Sequence, residues 1–154
     1  MHVSRFLNDR GVTFQSIDHP AAYDAQRFAQ AVHTPGREVA KTVLLRAEGG
    51  YVFVVAVLPA DRQIDFQKAA KVLGGGTLEL ASEEEISRRC PDCEMGVLPP
   101  FGSQYGMKTM VDRSLCEDDD IVFEANTHRE AIRMKFSDYR RLEQPLVASF
   151  ATRA

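Results

Sequence analysis

The sequence predicts a mixed α/β fold, and three observations carry that reading. Two β-rich segments, 39–47 and 51–58, flank Glu48-Gly49-Gly50, the composition of a hairpin. Apolar residues at helical spacing follow Asp24, Asp65 and Ser82, residue types whose side-chain oxygen accepts from the free amides of a first helical turn. Met107 to Asp112 alternates apolar and polar residues, the period of a half-buried strand. Short strands interleaved with short helices point to helices packed on a mixed sheet.

Taken in order, Val3, Phe6, Leu7 and Arg10 fall at helical spacing and Gly11 stops that helix, after which Thr13 to Ile17 is extended. His19-Pro20 marks a turn, because the residue before proline is pushed out of the helical region. The helix capped by Asp24 buries Ala25, Phe28, Ala29 and Val32 and ends before Thr34-Pro35-Gly36. Segment 51–58 is apolar on both faces and therefore central, whereas Lys41 sets a cation in the first strand. An edge position, with the lysine stem on apolar surface and the ammonium in water, is the bland explanation of that residue.

After the turn Pro59 to Arg62, Asp65 caps a helix burying Phe66, Ala69, Ala70, Val72 and Leu73, which exits at Gly74-Gly75-Gly76. A phosphate cradle precedes its helix, and this triplet follows one. Leu78 to Leu80 is a short strand, and Ser82-x-x-Glu85 is a capping box opening a helix to about Arg89. Further strands are expected at Ile121-Val122-Phe123 and at Ala131, Ile132 and Met134, a last helix from Ser137-Asp138, and a tail from Gln144-Pro145.

A chain of 154 residues suits one compact domain, 1–154, and its 44% hydrophobic and 27% charged residues are a globular balance. The formal net charge of −3 argues against a DNA partner, although Arg129 to Arg141 is locally basic. The longest apolar run, 51–58, is far short of the ~20 residues that cross a bilayer, so no membrane partner and a cytoplasmic location are expected. Three cysteines without an export signal suggest reduced thiols. Cys90-Pro91-Asp92-Cys93 has the spacing of half a zinc site or of a redox pair, but no second paired spacing completes it, and no metal or cofactor is expected.

The most unusual stretch is Gly96-Val97-Leu98-Pro99-Pro100-Phe101-Gly102-Ser103. Two prolines fix φ and remove two donors, while the flanking glycines permit turns and close approach to the main chain, so this is a stiff, shaped loop. It is either a tight connection or the wall of a site.

The order of parts resembles the YbaK family of aminoacyl-tRNA deacylases, related to the editing domain inserted in bacterial prolyl-tRNA synthetases. The resemblance rests on Val39-Ala40-Lys41-Thr42 before a hairpin, the strand ending Val57-Leu58-Pro59-Ala60-Asp61, the helix from Ser82-Glu83-Glu84-Glu85, and Gly96-x-x-x-Pro100-Phe101-Gly102. Val111-Asp112 and Glu124-Ala125-Asn126-Thr127-His128 complete it over nearly the whole chain. The family fold is a mixed sheet curled toward a barrel with helices around it. Its activity is hydrolysis of the ester joining a wrongly attached amino acid to the 3′ end of a tRNA.

The resemblance implies a trans-editing hydrolase for a small amino acid such as alanine, cysteine, serine or threonine, with tRNA-Pro a candidate carrier and a synthetase a candidate partner. A non-catalytic tRNA- or synthetase-binding module of the same fold is the alternative. Lys41 matches the family's functional lysine and would hold the terminal phosphate or ribose. An activated ester needs a placed water and a bound oxyanion rather than a covalent nucleophile, so backbone amides near Gly96 and Gly102 are the expected donors. Val97, Leu98, Pro100, Phe101 and Ser103 would form the pocket wall, with Asp112, Thr127 and His128 also binding substrate. Relatives commonly carry glycine where this chain has Asn126, which leaves His128 either orienting water or ribose or lying on the surface.

Overall fold

A computed structural model describes residues 1–47 and 53–153. The hairpin turn expected at Glu48-Gly49-Gly50 lies outside the described residues. In chain order the elements are α1 (Val3–Asp9), β1 (Phe14–Asp18), α2 (Ala25–Ala31), β2 (Ala40–Ala47), β3 (Phe53–Pro59), β4 (Arg62–Ile64), α3 (Phe66–Val72) and β5 (Leu78–Leu80). Then come α4 (Glu83–Arg89), β6 (Lys108–Asp112), β7 (Asp120–Glu124), β8 (Glu130–Lys135), α5 (Phe136–Glu143), β9 (Leu146–Ala148) and β10 (Ala151–Arg153), with 3-10 turns at Gly36–Glu38, Gly102–Tyr105 and Arg113–Glu117.

The mixed α/β class is the observed one. Five strands run in the order β5-β2-β3-β6-β9, with β2 antiparallel to β3 and β5, and β6 parallel to both β3 and β9. A second sheet, β1-β8-β7, is antiparallel, and the two sheets touch through one parallel bridge, Val39 to Val122. Among the described residues that bridge is what remains of the expected curl toward a barrel; the five-stranded sheet is open at β5 and β9.

β3 is central, as its two apolar faces require. Val55 and Val57 enter the core shared with Phe101, Val111, Ile121, Phe123, Ile132 and Tyr139, whereas Val54, Ala56 and Leu58 face Leu45, Ala69, Met110 and Phe150. Alternation of side chains across a strand makes this split unavoidable. A third cluster seats Phe28 and Ala29 of α2, with Val32 at its C-terminal end, against Val39, Val122 and Ala131.

The caps form as their residue types dictate. Asp24 accepts from the Arg27 amide, Asp65 from Gln67 and Lys68, and Ser82 with Glu85 makes the reciprocal capping box. Gly74, Gly75 and Gly76 all have positive φ, the left-handed exit expected after α3.

Four expectations are corrected. Phe66 opens α3 but is 40% exposed, because the first position of the helix faces away from the sheet. The tail after Gln144-Pro145 is not irregular: β9 joins β6, and β10 pairs with β4, short strands that backbone pairing creates without an apolar run to announce them. The last helix takes Lys135 as its cap residue, with no side-chain cap, so it starts one residue before Ser137. Cys90 and Cys93 are not free thiols. The turn that ends α4 brings their Cα atoms to 5.4 Å, within bridging distance, and they form a disulfide. Among the described residues no helix is long and apolar enough to cross a membrane.

Candidate active site

Lys41 faces a cavity of about 220 Å³. It pairs with Leu58 on β3, but β5 covers β2 only at Leu45–Ala47, so at Lys41 the outer edge of β2 carries no β5 partner. Burial lowers the Lys41 ammonium from its ordinary pKa, and Asp61 opposes that shift. Among the described residues Lys41 forms no ion pair, which leaves its charge available to an anion.

The opposite wall is the stiff loop. Gly96 and Leu98 line the same cavity as Lys41 and Thr42. Gly96 has φ +85°, a conformation glycine adopts without strain, and its position at the wall uses that freedom. The loop is fixed from behind: the Val97 amide donates to Glu94, and the Tyr139 hydroxyl donates to the Pro100 carbonyl at 2.7 Å. Neither the Gly96 nor the Leu98 N–H has an acceptor among the described residues. Two uncommitted amides beside a cation can bind a carbonyl oxygen on which charge develops.

His128 closes the third side. Its Nε2 is 2.8 Å from the Met95 carbonyl, its Nδ1 is 3.4 Å from Glu124 Oε2, and Tyr23 stacks on the ring with centroids 4.6 Å apart. Glu124 lines the cavity from the end of β7. Burial pushes its carboxyl up to about 7, His128 pulling it down and Glu94 adding to the rise.

The remaining expected residues lie elsewhere. Gly102 packs against Thr109 and Val55, and its amide donates to Thr109 Oγ1 at 2.9 Å, so this N–H is already engaged and is not the donor expected of it. Val97 and Phe101 are buried, Phe101 stacking edge-on with Phe6, Phe123 and Tyr139, which makes both supports of the loop. Pro100 gives its carbonyl to Tyr139, and Ser103 donates its hydroxyl to Glu143 Oε1 at 2.6 Å.

Asp112 and Thr127 hold turns. Asp112 accepts from the Ser114 amide and hydroxyl and from the amides of Phe150 and Ala151; burial alone would raise its carboxyl, but those donors outweigh burial and hold it below its ordinary value. Thr127 Oγ1 lies 3.2 Å from Glu130 Oε1 and accepts from the Arg129 amide. Asn126 accepts from the Val3 amide and donates to the Met1 carbonyl, fastening the N-terminus.

Sequence reasoning missed Tyr23, Phe28, Thr42 and Glu124, all of which line the cavity. Glu124 carried a readable signal, standing four residues before His128 at the end of a strand; Tyr23 carried none, being brought in by the turn before α2. Cys90, Asp92 and Cys93 cluster, but two of those three possible ligand atoms are bonded to each other.

Comparison with known proteins places this geometry among relatives. Residues 19–142 match the family model described as the aminoacyl-tRNA editing domain. The chain is 30% identical over 147 residues to the multifunctional Ser/Thr-tRNA deacylase ProXp-y of Escherichia coli K12, covering 94% of this chain and 87% of that protein. It is 29% identical over 105 residues to a proline–tRNA ligase of Thermosipho africanus, covering 64% of this chain and 18% of the ligase. A solved structure provisionally described as a trans-editing enzyme for prolyl tRNA synthetase superposes with a TM-score of 0.83 at 23% identity, covering 97% of this chain and 94% of that one. The chain therefore belongs to the aminoacyl-tRNA editing domain family.

Proposed function

We propose that this chain hydrolyses the ester of mischarged aminoacyl-tRNA, acting in trans as one editing domain, with serine and threonine esters as its first candidates. The observation that carries the reading is that Lys41, Gly96, Leu98 and His128 line one small cavity, the backbone N–H groups of Gly96 and Leu98 having no acceptor among the described residues. Membership of the editing family and the deacylase named among its relatives support it.

In this mechanism Lys41 attracts the terminal phosphate or ribose and sets the ester across the cavity mouth. Water adds to the carbonyl carbon, and the oxyanion is held by the amides of Gly96 and Leu98, donors worth ~3 kcal/mol each in comparable sites. The tetrahedral centre collapses with breakage of its bond to the ribose oxygen, which takes up the proton that the attacking water gives up; the products are a tRNA with a free terminal hydroxyl and the amino acid. No covalent intermediate is needed, since the ester is already activated.

The cavity volume of about 220 Å³ suits a small aminoacyl group. Its wall mixes Leu98 and Phe28 with Thr42 and Glu124, so a short side chain bearing a hydroxyl finds both apolar and polar partners. A cytoplasmic location is part of this reading, with tRNA-Pro and a prolyl-tRNA synthetase as candidate partners supported by the ligase likeness.

A panel of mischarged tRNAs, crossed by amino acid and by tRNA, tests the proposal. Release of serine or threonine from at least one tRNA is expected. Binding of tRNA with no turnover of any ester would make the chain a recognition module instead.

A further inference from the structure

The Met95 carbonyl can only accept a hydrogen bond, so at 2.8 Å it requires a proton on His128 Nε2. That assignment leaves Nδ1 without a proton: the atom is buried, lies 3.4 Å from Glu124 Oε2 and makes no hydrogen bond in this geometry. His128 is therefore held between an acid and the backbone that leads into Gly96.

We propose that Glu124 is a positioning residue: sharing a proton with His128 Nδ1, it keeps the ring's Nε2–H on the Met95 carbonyl and so fixes the Gly96 amide at the wall of the cavity. Two contacts, Glu124 to Nδ1 and Nε2 to Met95, need two protons. When the shared proton is present, as a carboxylic O–H facing Nδ1 or as an imidazolium facing a carboxylate, both contacts are satisfied. When it leaves, one proton remains on the ring. Held at Nε2 it leaves two lone-pair sites facing each other at Glu124; moved to Nδ1 it sets the bare Nε2 against the Met95 oxygen. Either way the hold on the loop weakens.

The surroundings favour loss of the proton near neutrality. Burial pushes the Glu124 carboxyl up to about 7, with His128 opposing and Glu94 from the loop after α4 adding to the rise, and Glu83 of α4 lies beside Gly96 on the side of the His128 ring. Lys41 from β2 and Asp24 from the start of α2 face the same cavity with opposite charges. The Gly96 amide and Lys41 are thus set by different elements, and only the first answers to Glu124. The consequence for hydrolysis rests on the editing function proposed above; the proton-dependent hold on the loop does not.

Nitrogen-15 NMR of the histidine rings and of the Gly96 amide, followed from about pH 5.5 to about pH 8.5, separates the two. His128 is assigned by the signal lost in His128→Ala. The expected result is a ring protonated at Nε2 at the acid end and a Gly96 amide shift that moves with a midpoint near 7. In Glu124→Gln the carboxamide N–H serves Nδ1 at every pH, and that movement is expected to vanish. An unchanged Gly96 titration in Glu124→Gln, or a flat Gly96 shift in the unmodified protein, overturns the proposal. In deacylation, Glu124→Ala is expected to lower kcat/KM by about tenfold at about pH 6.5, Glu124→Gln to recover most of that loss, and only the unmodified protein to decline above about pH 7. Equal losses in the two variants with identical pH profiles would refute the positioning role. Absence of any turnover would count against the editing function while the NMR titration still decides the hold on the loop.

Discussion

Lys41, on β2, and Gly96, in the loop after α4, line the same cavity of about 220 Å³. Their meeting depends on the parallel pairing of β3 with β6, which brings the segment between α4 and β6 back over the hairpin strand that carries Lys41.

The two loop glycines separate fold from site. A Cβ on Gly102 would lie 2.5 Å from Thr109 Oγ1 and 2.9 Å from Val55 Cγ2, so Gly102→Ala is expected to cost about 2–3 kcal/mol by overpacking. At Gly96 a Cβ meets nothing closer than 3.7 Å, and Gly96→Ala pays only for its positive φ, roughly 1 kcal/mol. Thermal melts should therefore rank Gly102→Ala well below Gly96→Ala.

Asp112 ties the tail to β6 through the amides of Phe150 and Ala151. Asp112→Ala is expected to lose about 1–3 kcal/mol and to release protection of those two amides in hydrogen exchange. Because the folded carboxyl sits below its ordinary value of 3.8, its stabilisation is present above that pH and is lost as pH falls through the folded value. Acid should bring the unmodified protein toward the variant.

Glu124 has the opposite sign. Its folded value, about 7, is above the ordinary 4.5, so the folded state retains a proton that the unfolded chain gives up. Stability from this group is full below about 4.5 and falls as pH rises to about 7. Relative to Glu124→Gln, the melting temperature of the unmodified protein should drop across that window and stay level above it.

Asn126→Gly removes the bonds to Val3 and Met1. It is expected to lower stability by about 1–2 kcal/mol and to raise exchange at α1, with deacylation little changed. Unaltered exchange at Val3 would show that Asn126 does not hold the N-terminus.

The elements legible in the sequence were those whose local chemistry is strong. Asp24, Asp65 and Ser82 announce helix starts because a cap is satisfied within one turn, and β3 announces a central strand because both of its faces are apolar. β4, β9 and β10 are not legible, because they lack the apolar-polar alternation of Leu78-Glu79-Leu80 in the equally short β5 and form through partners distant in sequence. The same divide runs through the site. Lys41, Gly96, Leu98 and His128 could be named from motifs, and the structure brings them together. Gly102, Phe101, Ser103 and Asp112 belong to those motifs yet serve packing and turns, because a motif does not reveal which side of a loop each residue faces. Glu124 needed the fold, as its burial beside His128 is what gives it a role.

Single-turnover deacylation of a mischarged seryl- or threonyl-tRNA by Lys41→Ala tests the proposed site most directly. Lys41 is partly buried at the cavity, where β5 does not cover β2, and makes no ion pair among the described residues, so its loss should leave the fold intact. A rate lowered at least about tenfold with an unchanged melting temperature is the expected result. A rate equal to that of the unmodified protein would remove Lys41, and with it this cavity, from the reaction.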